Sequence, residues 1–252
     1  MLHVLLFLIY INDLHTQLCF LFADDCLLYR HINSLADSHA LQTDLNKLQK
    51  WESMWQMDFH PDKCEVLRIT LNMKRIITGT YLIHGKVLNL VPSAKYLGIT
   101  IDSKLTFNEH VDNICKKANS TRAFISRNTK KCPIQVKAMA YKTFVRPQLE
   151  YASSSWSPHT KRNIDKIEGV QRRAACTTLN DWSRPKSTDT TNVITSPSPT
   201  QYCKGSPSSM LEFLGRKPLE ERRLHSKLSL MYKIDQGIAA IPATVYFTSY
   251  NQ

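Results

Sequence analysis

The stretch FLFADDCLLY, residues 20–29, decides how the first part of this 252-residue chain folds. Two near-continuous apolar runs, residues 18–23 and 26–31, predict two short buried strands. Asp24 and Asp25 lie between the runs, and two residues are the length of a tight hairpin turn. The sequence therefore predicts a hairpin whose tip carries two adjacent carboxylates.

Adjacent carboxylates at a hairpin tip have two interpretations. Aspartate favours turns, so the pair can be two solvated turn residues. The second interpretation is a divalent metal site, because Mg²⁺ prefers hard oxygen ligands and is usually bound by one or two carboxylates plus substrate phosphates. In two-metal phosphoryl transfer, such ions stabilise the attacking and the leaving oxygen. The pair alone does not decide between the two.

Strands and one helix are predicted up to about residue 103. Ser34 and Asp37 form a capping-box signal, and a stripe at helical spacing follows it: Leu41, Leu45, Leu48, Trp51 and Trp55. The chain leaves this helix through Pro61 and enters a strand that includes Val66, Leu67 and Ile69. A hairpin is predicted around His84-Gly85, and residues 94–102 (AKYLGITID) predict one further strand.

After residue 103 the apolar residues recur at helical spacing, so the fold class is α+β with an all-helical second part. One face of the first helix carries Val111, Ile114, Cys115, Ala118 and Ile125. A second helix is predicted over residues 134–145, stopping before Pro147. A third carries Ile164, Ile167, Val170 and Ala174, and a last one begins at Pro218 and carries Leu224, Leu228 and Met231.

Residues 183–209 interrupt this helical pattern. Ser, Thr or Pro occupies 16 of these 27 positions, and no apolar period remains. Such a composition buries too little apolar surface to order itself, so a flexible insert is expected.

The positive charge is concentrated in the helical part. The formal net charge is +12, and residues 104–186 hold 17 Lys and Arg against 6 Asp and Glu, while residues 1–103 hold 9 against 10. A solvated surface usually mixes both signs, so this excess favours an acidic partner such as nucleic acid.

The cysteines and the apolar residues at the start of the sequence indicate where in the cell the protein is located. The seven cysteines include no C-x-x-C pair, which favours reduced thiols in an intracellular protein. The apolar run of residues 2–11 is too short to span a bilayer. It is interpreted as a buried helix or strand, with a signal peptide as the alternative. The expected location is the nucleus or cytoplasm, without secretion or membrane binding.

Several blocks along the chain occur in the same order in one known family. They are LLFLIYINDL, FADD with CLLYR, FHPDKCEVLRIT, AKYLGITID, VRPQLEYAS and LEERR. With these blocks the chain resembles the reverse transcriptase (RNA-directed DNA polymerase) of jockey-like non-LTR retrotransposons. The resemblance covers residues 4–182 and 210–245.

The resemblance implies a right-hand polymerase acting on an RNA template and a DNA primer. Residues 1–103 would be a partial palm of antiparallel strands plus a helix, and residues 104–182 a basic helical thumb and connection. The flexible insert at 183–209 and a helical segment at 210–252 would follow. Phe22-Ala23-Asp24-Asp25 matches the block whose aspartates bind catalytic Mg²⁺ in the family.

Further roles are implied residue by residue. Lys63 matches a palm lysine proposed to protonate departing pyrophosphate, with a solvated turn lysine as the alternative. Tyr96, Leu97 and Gly98 resemble the primer grip, with a plain β-turn as the alternative. Trp156 either stacks on a base or packs against the helices. Six thumb cations would neutralise phosphates without reading sequence: Lys116, Lys117, Arg122, Arg127, Lys130 and Lys131.

The resemblance also indicates what the chain lacks. In the family, a further palm aspartate and the fingers come before LLFLIYINDL, which begins at residue 5 here. The two-metal site is therefore expected to be incomplete and the chain to be a truncated copy, inactive by itself. The alternative is a non-catalytic nucleic-acid-binding protein that uses the basic helices. Protein partners are not indicated.

Overall fold

The structure is a computed structural model that describes residues 19–22, 25–56, 58–71, 76–180, 207–239 and 241. The chain divides into two compact units, Met1–Leu105 and Thr106–Gln252. Strands and one long helix make up the described part of the first unit, and helices make up that of the second. Both element types are thus present, as the predicted α+β class requires.

The first two strands form the predicted hairpin. Strand β1 (Cys19–Phe22) pairs antiparallel with β2 (Asp25–Leu28), and Phe22 lies opposite Asp25. The prediction that both strands are buried is wrong: Phe22 is 63% exposed, and β2 alternates between exposed and half-buried residues. A strand with one covered face shows this alternation even when its sequence is apolar throughout.

The helix that follows has the predicted start. Helix α1 (Leu35–Trp55) begins with a capping box, in which the Asp37 amide donates to Ser34 Oγ at 3.3 Å and the Ser34 amide donates to the Asp37 carboxylate at 2.8 Å. The pKa of Asp37 is lowered by hydrogen bonds that the Ser34 hydroxyl, and then the Asn33 and Ser34 amides, donate to its carboxylate. The predicted apolar stripe packs inward: Leu45 and Leu48 are buried with Tyr81 and Ile83, and Leu41 and Trp51 pack against that cluster.

Two buried carboxylates of α1 tie neighbouring segments to the helix. Asp44 accepts from Arg30 at 2.6 Å, and Glu52 accepts from the Phe59 backbone amide and lies 3.0 Å from His84. Because a buried carboxylate is costly without such partners, these contacts fix the segments before and after the helix.

Short strands complete the first unit. Strand β3 (Glu65–Leu67) pairs parallel with β6 (Asn89–Val91). The predicted strand included Ile69, but the observed strand ends before it. Strands β4 (Leu82–Ile83) and β5 (Lys86–Val87) form the predicted hairpin. His84 and Gly85 connect them with positive φ angles of 51° and 71°, as a tight hairpin turn requires.

The single strand predicted over residues 94–102 is wrong. Strands β7 (Ser93–Tyr96) and β8 (Ile99–Asp102) form an antiparallel hairpin, with Tyr96 opposite Ile99. Leu97 and Gly98 connect them with φ angles of 46° and 84°. Glycine adopts positive φ at little cost, so Gly98 permits the reversal within a run that otherwise looks like one strand.

Gly79 is predicted to be essential for packing in the first unit. A Cβ at this position would lie 2.0 Å from Ser38 Oγ, and this hydroxyl is hydrogen-bonded to the buried Tyr81 hydroxyl at 3.1 Å. Gly79→Ala should therefore lower the free energy of unfolding by about 1–3 kcal/mol, measured by urea denaturation. Gly169→Ala, in the second unit, is the control for glycine loss without a clash, because the atom nearest its Cβ position, Arg173 Nη1, lies at an ordinary contact distance of 3.5 Å. Equal stability of Gly79→Ala and the wild type would contradict this packing.

The second unit consists of helices that bury the predicted faces. Helix α2 (Asn108–Asn128) packs on α5 (Lys161–Leu179). Val111, Cys115 and Ala118 are buried from one helix and Ile167, Val170 and Ala174 from the other. The remaining helical elements are α3 (Ile134–Ala140), a π-helical turn (Tyr141–Val145), α4 (Arg146–Glu150), α6 (Pro207–Phe213) and α7 (Leu219–Asp235).

The prediction that the second helix stops before Pro147 is wrong. The chain stays helical from Ile134 to Glu150, because a π-helical turn, Tyr141–Val145, comes directly before α4, whose second residue is Pro147. In a regular α-helix, a proline leaves one carbonyl without a donor and its ring clashes with the carbonyl four residues earlier. A π-turn changes the hydrogen-bond register at that point, so the proline occurs in the first turn of α4.

Helix α7 exists as predicted, but its predicted apolar face is not buried. Leu224, Leu228 and Met231 are 56%, 54% and 47% exposed, while Leu219 and Arg223 are buried. Pro218 flanks the helix instead of beginning it.

The insert predicted over residues 183–209 lies outside the described residues up to 206, and residues 207–209 begin α6. None of the described helices is both long enough and apolar enough to cross a bilayer.

Candidate functional site

The hairpin presents one described carboxylate to solvent. Asp25 is the first residue of β2 and is exposed, while Ala23 and Asp24 lie outside the described residues. A carboxylate oxygen is the type of ligand that Mg²⁺ prefers, so Asp25 fits the metal in kind. Within the described part of the chain, no three His, Cys, Asp or Glu side chains gather into a metal-binding group. The metal-site and solvated-turn interpretations of the pair therefore both stay open.

Lys63 ends a short 3-10 helix (Pro61–Lys63) and is exposed. Its neighbour Asp62 is hydrogen-bonded to Lys86, which lowers the pKa of Asp62. Among the described residues, the Lys63 ammonium group has no ion pair of this kind. Its position in an exposed turn fits the solvated alternative, and its catalytic role stays a prediction.

The candidate primer-grip residues lie at the β7–β8 hairpin. Tyr96 is the last residue of β7, and Leu97 and Gly98 form the turn. The β-turn alternative accounts for the need for glycine at position 98. Contact with a primer stays a prediction.

Unpaired cations line the outer surface of α2 and the turn after it. All five cations are exposed: Lys116, Lys117, Arg127, Lys130 and Lys131. Among the described residues, none of the five has a carboxylate within 4 Å. Some other cations of this unit are paired: Arg146 with Glu150, Lys161 with Asp165 and Lys166 with Asp112. The charge of the α2 surface is therefore not compensated within the described part of the chain.

Arg122, the sixth predicted cation, has different surroundings. It is half-buried and donates from Nη1 to Thr177 Oγ1 of α5 at 3.1 Å. Burial, and then the charge of Arg173, lower the pKa of Arg122. Arg122 therefore takes part in the α2–α5 contact, and a role in binding phosphate stays a prediction.

Trp156 packs inside the second unit. It is 2% exposed, its ring meets the His110 ring edge-on with centroids 4.5 Å apart, and its Nε1 donates to the Tyr151 carbonyl at 2.9 Å. Burial lowers the pKa of His110, so a neutral ring faces the indole. The packing interpretation of Trp156 is confirmed, because a buried ring cannot stack on a base.

Besides Arg223, two further cations are buried that sequence analysis missed, Arg216 and Lys137. The Arg216 guanidinium lies 4.1 Å from the centroid of the Tyr141 ring and donates to Thr178 Oγ1 at 3.0 Å. Burial lowers the pKa of Arg216 to about 10. Lys137, in α3, is 6% exposed and donates to Asn180 Oδ1 at 3.2 Å. Lysine and arginine are rarely buried, so nothing in the local sequence pattern signals either position.

Comparison with known proteins identifies the relatives. The chain is 30% identical over 158 residues to the RNA-directed DNA polymerase from the mobile element jockey of Drosophila melanogaster, covering 60% of this chain and 17% of that protein.

Two further relatives come from the same organism. The chain is 28% identical to the probable RNA-directed DNA polymerase from transposon BS and 25% identical to that from transposon X-element, each over 158 residues, 61% of this chain and 17% of the relative. No family model matches the chain, and no solved structure matches it.

The predicted resemblance to RNA-directed DNA polymerases of jockey-like mobile elements is thus confirmed. The match spans 17% of the length of these relatives.

Proposed function

We propose that this chain is part of an RNA-directed DNA polymerase of a non-LTR retrotransposon, and that its second unit binds the duplex of RNA template and DNA primer. The observation that carries the binding role is the set of α2 cations without carboxylate partners among the described residues. The similarity to RNA-directed DNA polymerases supports the choice of duplex.

Lysine and arginine on one helical surface match the charge of a nucleic-acid backbone. Each phosphate that they neutralise releases condensed counterions, so binding is favoured by entropy and weakens as salt rises. Such contacts position a protein on a duplex without reading its sequence. A polymerase requires this behaviour because it must hold whatever sequence it has copied.

The hairpin has the second role in this proposal. Asp24 and Asp25 supply the oxygen ligands for Mg²⁺, as their match to the family block implies. When bound, the metal would stabilise the charge that develops on the oxygens of the reacting phosphate. Lys63 and residues 96–98 keep their implied roles as proton donor and primer grip within the same proposal.

The purified 252-residue polypeptide is predicted to be inactive alone. Two carboxylates at one tip bind a metal weakly and do not orient a nucleotide, and orientation supplies much of the rate in such reactions. Incubation with primed RNA, Mg²⁺ and deoxynucleotides should therefore give no more primer extension than the variant Asp24→Asn with Asp25→Asn. Extension by the wild type that the double variant loses would refute this prediction.

The alternative, a non-catalytic nucleic-acid-binding protein, is favoured by the location of all six predicted cations in the second unit. The same double variant separates the two functions. If the chain is part of a polymerase, Asp24 and Asp25 would hold Mg²⁺ next to the nucleic acid, so Mg²⁺ should strengthen duplex binding by the wild type more than by the variant. In the alternative, both proteins should bind equally with Mg²⁺ and with a chelator.

A further inference from the structure

A polar cavity lies in the second unit where the end of α2, the start of α3 and the end of α5 meet. Its volume is about 300 Å³, and three cations line it: Arg127, Lys130 and Lys137. The other described lining residues carry hydroxyl or amide groups, and none of these described residues is acidic: Ser126, Thr129, Thr177 and Asn180. We call this cavity the α2–α3–α5 cleft.

Lys137 makes the cleft unlike an ordinary solvated basic patch. Its side chain is buried, yet its one hydrogen-bond partner among the described residues is the Asn180 amide oxygen at 3.2 Å. A buried charge is normally paired, because losing water is costly. In the first unit, the buried Asp44 shows this pairing, with Arg30 at 2.6 Å and Lys47 at 2.9 Å. Lys137 therefore calls for an anion that is not part of the described chain.

The other groups in the cleft suit an anion with several oxygens. Neither Arg127 nor Lys130 has an ion pair within the described part of the chain, and the Ser126 hydroxyl has no hydrogen bond there. The Thr129 and Thr177 hydroxyls donate to backbone carbonyls of their own helices, at 2.8 and 2.9 Å. The available donors are therefore the three cations and Ser126, which match the acceptor oxygens of a phosphate group.

We propose that the α2–α3–α5 cleft holds one phosphate group of the nucleic-acid backbone. This inference rests on the proposed duplex-binding function and names the place where one phosphate is held. The volume lies at the lower end of the range of about 300–1,000 Å³ for small-molecule sites. Among the residues that the structure describes, the lining includes no aromatic side chain on which a base would stack. Both features favour a backbone phosphate over a free nucleotide.

The test is the salt dependence of binding to a labelled RNA–DNA duplex, followed by fluorescence anisotropy. Lys137→Met keeps the length of the side chain and removes its charge. We expect this variant to bind about eightfold more weakly at 0.1 M salt, with a slope of log K against log salt smaller by about 0.9. Lys233→Gln, an exposed lysine of α7 that has no ion pair among the described residues, is the control for the loss of one charge.

A triple variant, Arg127→Gln, Lys130→Gln and Lys137→Met, tests whether the three cations share one phosphate. If they do, the slope falls by about 0.9, as in the single variant. A fall of about 2.7 would mean three separate phosphates and would overturn the cleft as a single site. If Lys137→Met binds the duplex as tightly as the wild type does, the cleft is not a phosphate site. The proposed duplex-binding function is not affected by that result.

Thermal unfolding with inorganic phosphate completes the test. Without ligand, Lys137→Met should unfold at a temperature at least as high as that of the wild type. The substitution removes a buried charge that lacks a carboxylate partner among the described residues. Phosphate could stabilise the wild type but not the variant, while the duplex binds to neither. In that case the ligand of the cleft is free phosphate. The proposal of a nucleic-acid phosphate and the proposed duplex-binding function are then both wrong. If neither phosphate nor duplex binds, the cleft is no anion site.

Discussion

Replacing Lys116, Lys117 and Lys131 together with glutamine is expected to weaken duplex binding by two to three orders of magnitude at about 0.1 M salt. These lysines are exposed, and none has a carboxylate partner among the described residues. Their charges are thus available to phosphates and lie outside the α2–α3–α5 cleft. The slope of log K against log salt should fall by about 2.7, because about 0.9 is lost for each phosphate contact. Anisotropy titrations between 50 and 200 mM salt measure both quantities.

The matched control removes three lysines that already have carboxylate partners. Lys161, Lys166 and Lys217 pair with Asp165, Asp112 and Glu221. Replacing them with glutamine changes the net charge by the same amount, so an effect of overall charge would be equal in both variants. We expect a slope change below about 1 for this control, because paired cations release few counterions from the duplex. Equal losses in the two variants would contradict a defined α2 surface.

Sequence independence is a further property of the same surface. If the three lysines contact phosphates, the triple variant should lose the same factor on duplexes of unrelated sequence. A loss confined to one sequence would instead indicate contacts with base edges, each worth about 1–3 kcal/mol.

Trp156→Ala is expected to lower the free energy of unfolding of the second unit by about 3–5 kcal/mol. The indole is fully enclosed, packs edge-on against His110 and donates a hydrogen bond to the Tyr151 carbonyl. Truncation leaves a large cavity and a carbonyl that loses its donor. Urea denaturation followed by circular dichroism measures the change without relying on tryptophan fluorescence.

Phe124→Ala is the control, because this aromatic residue of α2 is exposed. A surface substitution of this kind should change stability by no more than about 0.5 kcal/mol. Trp156→Phe keeps most of the buried volume, so it should fold and bind duplex as the wild type does. A stable Trp156→Phe that binds duplex much more weakly would contradict the packing role and support contact with a base.

The features predicted correctly are those that neighbouring residues encode. The capping box at Ser34 and Asp37 depends on side chains three residues apart, and the turn at His84-Gly85 depends on two adjacent residues that accept positive φ. The faces of α2 and α5 follow from apolar residues at helical spacing. Each is a local pattern, and the structure has each of them.

The incorrect predictions concern burial and continuity, which distant segments decide. The FLFADDCLLY strands are apolar on both faces, but a strand buries only the face that another element covers. Helix α7 shows the same effect, since its apolar positions 224, 228 and 231 are exposed while Arg223 is buried. Pro147 predicts a helix end, yet the π-turn before it changes the hydrogen-bond register and the helix continues.

Three features follow from the order of residues alone: the hairpin with its acidic tip, the concentration of positive charge after residue 103, and the resemblance to RNA-directed DNA polymerases, which the comparisons confirmed. The tertiary structure decided which cations are paired, which are open to solvent and which is enclosed. Lys116, Lys137 and Lys166 are the same residue type in helices of one unit, yet they are exposed, buried and ion-paired respectively. The reason is physical: the environment of a charge is set by groups brought close from far along the chain, such as Asn180 at Lys137 and Asp112 at Lys166.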